Sequence, residues 1–414
     1  MKLHNRIYLG TVLSCLFLNS TSWASSSYQI PVVVSARELI LDRALPSNHY
    51  ALFRNQNGIP QQIPHQIDER DRFGDFILPE NKKDSDGVFG GDDELSFMGH
   101  DMGPSQQPQW ESITQKNPVL GSYEIKTQKG KTSYSAFLVA FKKPFPYKLS
   151  QRYTFFSDKQ SRVETQTYNY QFNPENYLMA QSVDIHSTPC TSKKPCLKKV
   201  IDQSSFHLDT RFKYLFNLEF DGDDVNTTLL GFKNGPIRSI IRIAIGINFL
   251  KLQFDLDMYT DISFFANAVT LPALIDYPFD STELLEDGSH ISYTLQSTLP
   301  LEKLNLKSNL PHWPTNSLPR NKVWSLSSHN DFFKFYMEVT PSKKMIEDEL
   351  FPQIKTSDIN SKANVSVLFD LAKFKAKSYN LSFRLLFEKD GVESLTDFQK
   401  LHLWSTRIQR VYAK

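Results

Sequence analysis

The densest concentration of chemically capable side chains lies between Asp84 and Gly103, DSDGVFGGDDELSFMGHDMG, where six acids are spaced by glycines. From His65 to Asp101 there are eleven acids against four Lys and Arg. Repulsion at that density calls for either solvent or a cation. Asp84, Asp86, Asp92, Asp93 and Glu94 form the tightest group, and Gly87, Gly90 and Gly91 would let the backbone fold their oxygens inward. Ca²⁺ is the one cofactor this pattern suggests, because it accepts roughly six to eight oxygen ligands in loose geometry. The spacing departs from an EF-hand, since Val88 stands where the third acidic ligand would be. Two further readings stay open. The acids and glycines could form a pair of solvated turns, or the acids could pair with Lys193, Lys194, Lys198 and Lys199 as a charge patch.

His100 and Asp101 adjoin this loop and are ligand-binding candidates for that reason. Arg238 and Arg242 are the other two: on an extended strand their even spacing puts both on one face, where they could grip a carboxylate. The favoured alternative is that they pair with acids such as Asp221, Asp223 and Asp224. Standard catalytic signatures are missing. There is no G-x-S-x-G elbow, no H-E-x-x-H, and no Walker or dinucleotide glycine loop. No catalytic residue is assigned, although a glycosidase or lyase built from residues distant in sequence stays open.

The elements that must position these residues follow an N-terminal export signal. Lys2 and Arg6 precede an apolar run of about twelve residues, and cleavage is expected after Ala24. Loss of Lys2 and Arg6 leaves 45 basic against 45 acidic side chains, so no global field exists to hold nucleic acid. No later segment has the roughly twenty apolar residues of a membrane span. A periplasmic or secreted protein is expected, with Cys190 and Cys196 joined as a disulfide.

Short runs of alternating apolar and polar residues favour strands over helices. The expected fold is mainly β: a large antiparallel β-sandwich with an N-terminal strand module and a C-terminal β-rich segment. The boundaries drawn from composition are 1–24 for the signal, 25–110 for the N-terminal module with the acidic loop, 111–300 for the central sandwich, 301–320 for a Pro-containing linker, and 321–414 for the C-terminal segment. Asn57-Gly58 is a hairpin turn signal. A phase switch in RVETQTYNYQFN suggests a bulge near Tyr168, and Leu395 to Leu401 a short helix. Trp110, Trp313 and Trp324, near the proposed edges, could stack on sugar rings or anchor one module on another.

Three segments, IPHQIDERD, DGVFGGDDELSFMGHDMG and FDGDDVNTTLLGFKNGPIRSIIR, together resemble a family of uncharacterised exported bacterial β-rich proteins. Its pattern runs Q-I-D, then N-D-E-L-x-F-M-x-x-D-x-G, then G-x-K-x-G-P-x-R. The chain departs from it with Asp92 in place of Asn. A looser similarity, carried by Gly235, Pro236 and Arg238, links it to carbohydrate-active mutarotase-like β-sandwiches. The resemblance implies kinship and no assigned reaction. The function expected is non-catalytic binding of a glycan or other envelope component. The alternatives are a polysaccharide-active lyase or glycosidase, and an accessory subunit of an envelope assembly.

Overall fold

The computed structural model describes residues 30–41, 43–129, 132–147, 151–186, 197–214, 217–249, 252–277, 280–310, 312, 324–329, 333–388 and 407–411. The signal segment, Cys190, Cys196, Trp313 and the helix expected over 395–401 lie outside them. The protein is mainly β, and its strands pair antiparallel in several sheets. No helix among the described residues is long and apolar enough to cross a membrane.

Two large sheets form the sandwich. One has nine strands, running from Thr154–Ser157 through Leu197–Arg211 to Gln353–Ile359; the other has eight, with Arg238–Phe249, Leu252–Phe265, Ala268–Tyr277 and Lys377–Glu388 side by side. The main core lies where their inner faces meet: Val163, Phe172 and Val183 come from the first sheet, Ile241, Ile243, Ile262 and Phe264 from the second. Period-two alternation then turns Arg238, Ile240, Arg242, Asp261, Ser263 and Phe265 to the opposite face of the eight-stranded sheet. That second face is also covered, which is why SIIRI reads as almost continuously apolar.

The cover is built from the N-terminal part of the chain. A three-stranded sheet places Glu94–Met98 between Pro31–Ser35 and Gln66–Asp68. Beside it, Tyr50–Gln56, Ile59–Gln62, Val119–Lys129 and Thr132–Phe141 form a further sheet, which the chain's last described strand, Arg407–Val411, completes by pairing with Val119–Lys129. Their own core contains Val34, Leu52, Phe89, Leu95, Phe97, Ile125 and Leu138.

Several expectations meet the structure directly. Asn57 and Gly58 take φ of 54° and 84°, the left-handed pair that a two-residue hairpin needs. The phase switch near Tyr168 is a hairpin and not a bulge: Arg162–Thr165 pairs with Tyr168–Asn173, and the Thr165 hydroxyl closes the turn by accepting from the Thr167 and Tyr168 amides. Strand pairing also crosses the boundaries drawn at 110 and 320. Val119–Phe141 belongs with the N-terminal sheets, and the strands after 324 are distributed among both large sheets and the N-terminal one. Composition along the chain is blind to this, because pairing partners are chosen in space. Trp110 and Trp324 are buried, against Phe53 and Phe137 and against Phe351 respectively, and so act as anchors.

Candidate functional site

The three quoted segments meet at one place, the seam between the N-terminal sheet and the outer face of the eight-stranded sheet. Asp68, 1% exposed, stands at its centre. Arg238 Nε donates to Asp68 Oδ2 at 2.8 Å, and Lys233 Nζ lies 2.7 Å from Oδ1. Arg238 Nη2 sits 2.8 Å from Asp68 and 2.7 Å from Glu94 Oε2. It thereby bridges the two carboxylates as one ion-pair partner of both. Arg70 takes the other oxygen of Glu94 through Nε and Nη2, at 3.2 and 2.5 Å. The Phe76 ring centroid lies 3.7 Å from the Arg70 guanidinium and 4.6 Å from that of Arg238, within cation–π range of both.

Burial alone would raise the Asp68 pKa; the charges of Arg238 and Lys233 and the Gln66 hydrogen bond outweigh it and hold the carboxyl below its usual range. Arg238 is likewise opposed by burial and rescued by Asp68 and Glu94, which keep it charged. Such a cluster is stable only when every member is paired.

Gln66 welds the network to the G-P-x-R turn. Its Nε2 donates to both Asp68 oxygens at 2.9 Å, while Oε1 accepts from the Ile237 and Arg238 amides at 3.0 Å. A Cβ at Gly235 would come within 1.9 Å of that Oε1, and Gln66 has four reasons not to move. Gly235→Ala therefore lowers stability by about 1–3 kcal/mol or more, the cost of overpacking. Gly231→Ala is the control. The three atoms nearest its Cβ all belong to the side chain of exposed Glu80, which can swing aside. Urea unfolding of the two variants checks the contrast.

Arg242 does lie on the same face as Arg238, but its partner is Asp261, through Nε and Nη2 at 2.7 Å each, with Nη2 also donating to the Phe76 carbonyl at 2.8 Å. Asp221, Asp223 and Asp224 pair with neither arginine; Asp221 and Asp224 instead cap a short 3-10 turn between them.

His100 and Asp101 form a second polar group on the same seam. The Tyr153 hydroxyl donates to Asp101 Oδ2 at 2.7 Å and lies 3.2 Å from His100 Nε2. The Tyr153 amide donates to the Pro236 carbonyl, so this group hangs on the same turn. Burial lowers the His100 pKa against the pull of Asp101, and burial raises that of Asp101 against His100, the Tyr153 hydrogen bond and Arg54.

The acidic loop is distributed among partners. Asp93 Oδ1 accepts from the Arg70 amide at 2.7 Å and Oδ2 from the Gly90 amide at 2.9 Å. Asp86 caps the Val88 amide, and Asp92 pairs with Arg37 at the surface. Asp84 ends an exposed 3-10 segment, and Glu94 belongs to the buried network. Gly87 and Gly91 take φ of 73° and 56°, the turn conformations that glycine tolerates. Among the described residues, no group of three or more His, Cys, Asp or Glu could hold a metal ion. Lys199 pairs with Asp202, and Lys193 and Lys194 lie outside the described residues.

Sequence reasoning passed over Gln66, Asp68, Arg70, Phe76, Lys233, Asp261 and Arg384. The signal for Gln66, Asp68 and Lys233 was present: they are named positions of the Q-I-D and G-x-K-x-G-P-x-R patterns.

Beside the network opens a cavity of about 390 Å³. Its floor is the outer face of the eight-stranded sheet, where Ser263, Thr270 and Arg384 stand in one cross-strand row, flanked by Arg238, Asp261 and Phe265. Its roof is Ile30 to Val33 with Arg70, Phe76, Glu94 and Thr127.

The chain matches no protein-family model and no curated protein. Among solved structures it is similar to a protein in the glycosyl hydrolase family 38 from Enterococcus faecalis, with a TM-score of 0.44 and 9% identity over 94% of this chain and 46% of that one. It is also similar to an alpha-mannosidase from Enterococcus faecalis V583, with a TM-score of 0.45 and 8% identity over 94% and 45%. The chain spans less than half the length of either. These are distant resemblances of backbone, and the chemistry has to be argued from the cavity itself.

Proposed function

We propose that this is an exported, non-catalytic binding protein for a glycan or another envelope component, with the ligand seated in the cavity under Ile30 to Val33. The observation that carries this reading is the cavity itself: a space of about 390 Å³ in which the apolar side chains of Ile30, Val32, Phe76 and Phe265 alternate with convergent hydroxyl and charged groups, within the roughly 300–1,000 Å³ of small-molecule sites. Binding is favoured over hydrolysis by the state of the two lining carboxylates. A glycosidase needs one carboxyl free to deliver a proton to the leaving oxygen. Both oxygens of Glu94 face arginines, and both oxygens of Asp261 are taken by Arg242.

The test is calorimetric titration of the mature chain with a panel of envelope glycans, alongside assays for new reducing ends and for unsaturated uronate products. Binding without product is the expected result. Thr270→Tyr, which fills the floor, should weaken binding by about tenfold or more, some 1.4 kcal/mol. Product formation would make the protein an enzyme, and failure to bind any glycan would favour an accessory subunit.

A further inference from the structure

We infer that the cavity selects a ligand bearing a single carboxylate, a uronate-type sugar, and that Arg384 is the group that anchors it. This rests on reading the cavity as the binding site. Five charged side chains line it: Arg70, Arg238, Arg384, Glu94 and Asp261. Glu94 is neutralised by Arg70 and Arg238, and Arg238 is shared with Asp68. Asp261 is neutralised by Arg242. Arg384 alone makes no ion pair or hydrogen bond among the described residues.

Its position makes that unusual. Glu338 lies directly across from it on the neighbouring strand, the place where opposite charges normally pair. No ion pair forms. Glu338 is not part of the lining, and its Oε1 accepts from the Thr340 hydroxyl. Arg384 lines the cavity instead, in a row with the hydroxyls of Thr270 and Ser263. A guanidinium next to two hydroxyls suits a carboxylate on a polyhydroxylated ring, because its fork can hold both carboxylate oxygens while the hydroxyls meet ring substituents. One uncommitted cation also matches one negative charge. A phosphate monoester, with a charge of about −1.5 to −2, would bring more charge than this row can answer.

The experiment uses three probes of one ring framework: galacturonic acid, its neutral methyl ester, and galactose 6-phosphate. The proteins are wild type, Arg384→Gln and Arg384→Lys, with thermal midpoints confirming that each is folded. Wild type should bind the acid about tenfold or more tighter than the ester, the scale of a hydrogen bond to a charged group, with the preference shrinking as salt rises. Arg384→Gln should erase the preference of acid over ester, and Arg384→Lys should retain part of it. Equal affinity for acid and ester, a preference that survives Arg384→Gln, or tighter binding of the phosphate would each overturn the inference. Binding of neutral glycans by a wild type that ignores galacturonic acid would overturn it too and leave the broader binding reading standing. Loss of every glycan would remove both.

Discussion

Asp68→Ala lowers the stability of the protein by about 3–5 kcal/mol, the cost of removing one member of a buried charge cluster. The substitution leaves Arg238, 2% exposed, with Glu94 alone, and strips Gln66 Nε2 of both its acceptors. Lys233 suffers less, because its side chain is 28% exposed and can reach water. Such a loss is a large part of the roughly 5–15 kcal/mol that holds a typical domain together. The discriminating measurement is a double-mutant cycle by urea unfolding. Arg238→Met alone leaves Asp68 with Lys233 and Gln66. The double variant removes both charges, so its loss should fall short of the summed single losses by about 1–3 kcal/mol. Additive losses would mean that the two side chains do not act as a unit. The surface pair of Arg37 with Asp92, 74% and 55% exposed, gives the contrast: Asp92→Ala should shift stability by less than about 1 kcal/mol.

That contrast also explains what could be read from the sequence. Asp92 looked like the heart of a site because charge density along the chain is visible, yet density in sequence says nothing about burial. Asp68 looked ordinary because its partner stands 170 residues away. The strands themselves were legible, since alternation is a local pattern, and so was the Asn57-Gly58 turn. Even the shared face of Arg238 and Arg242 followed from period two. Their partners did not, because Asp261 and Asp68 are brought in by the register of other strands. The same limit hid the hairpin at Gln166-Thr167, where a change of phase could mean either a bulge or a reversal and only pairing decides. Arg384 was invisible for a related reason: an arginine in YNLSFRLLF carries no mark until the strand is set beside Ala268–Tyr277. The Q-I-D and G-x-K-x-G-P-x-R patterns were the one non-local signal, and they pointed to the seam where the clustered acids pointed to turns.

Acidification from pH 7.5 to 4 should remove about 3 kcal/mol of stability through His65 alone. The ring is buried, with Nδ1 3.2 Å from the Ile63 carbonyl and its edge against Tyr147. Burial outweighs backbone hydrogen bonds from Ile63 and Tyr50 and lowers its pKa from 6.5 to about 4. Between those values the unfolded chain takes up a proton that the folded chain refuses, so the contribution is complete above pH 6.5 and lost as the pH falls toward 4. His100, also lowered by burial, acts in the same direction; Asp93 and Asp101, raised by burial, act in the opposite one. Asp68 stays out of this window, being held below 3.8 against its burial by Arg238 and Lys233. The slope of wild type is therefore a sum, and His65 is isolated by comparison with His65→Gln, which keeps an amide donor for the backbone and cannot ionise. The variant should be less stable at pH 7.5 through lost packing and should show a flatter pH profile, converging on wild type near pH 4. Parallel profiles would show that the imidazole titrates alike in the folded and the unfolded chain, and that its burial does not hold it neutral.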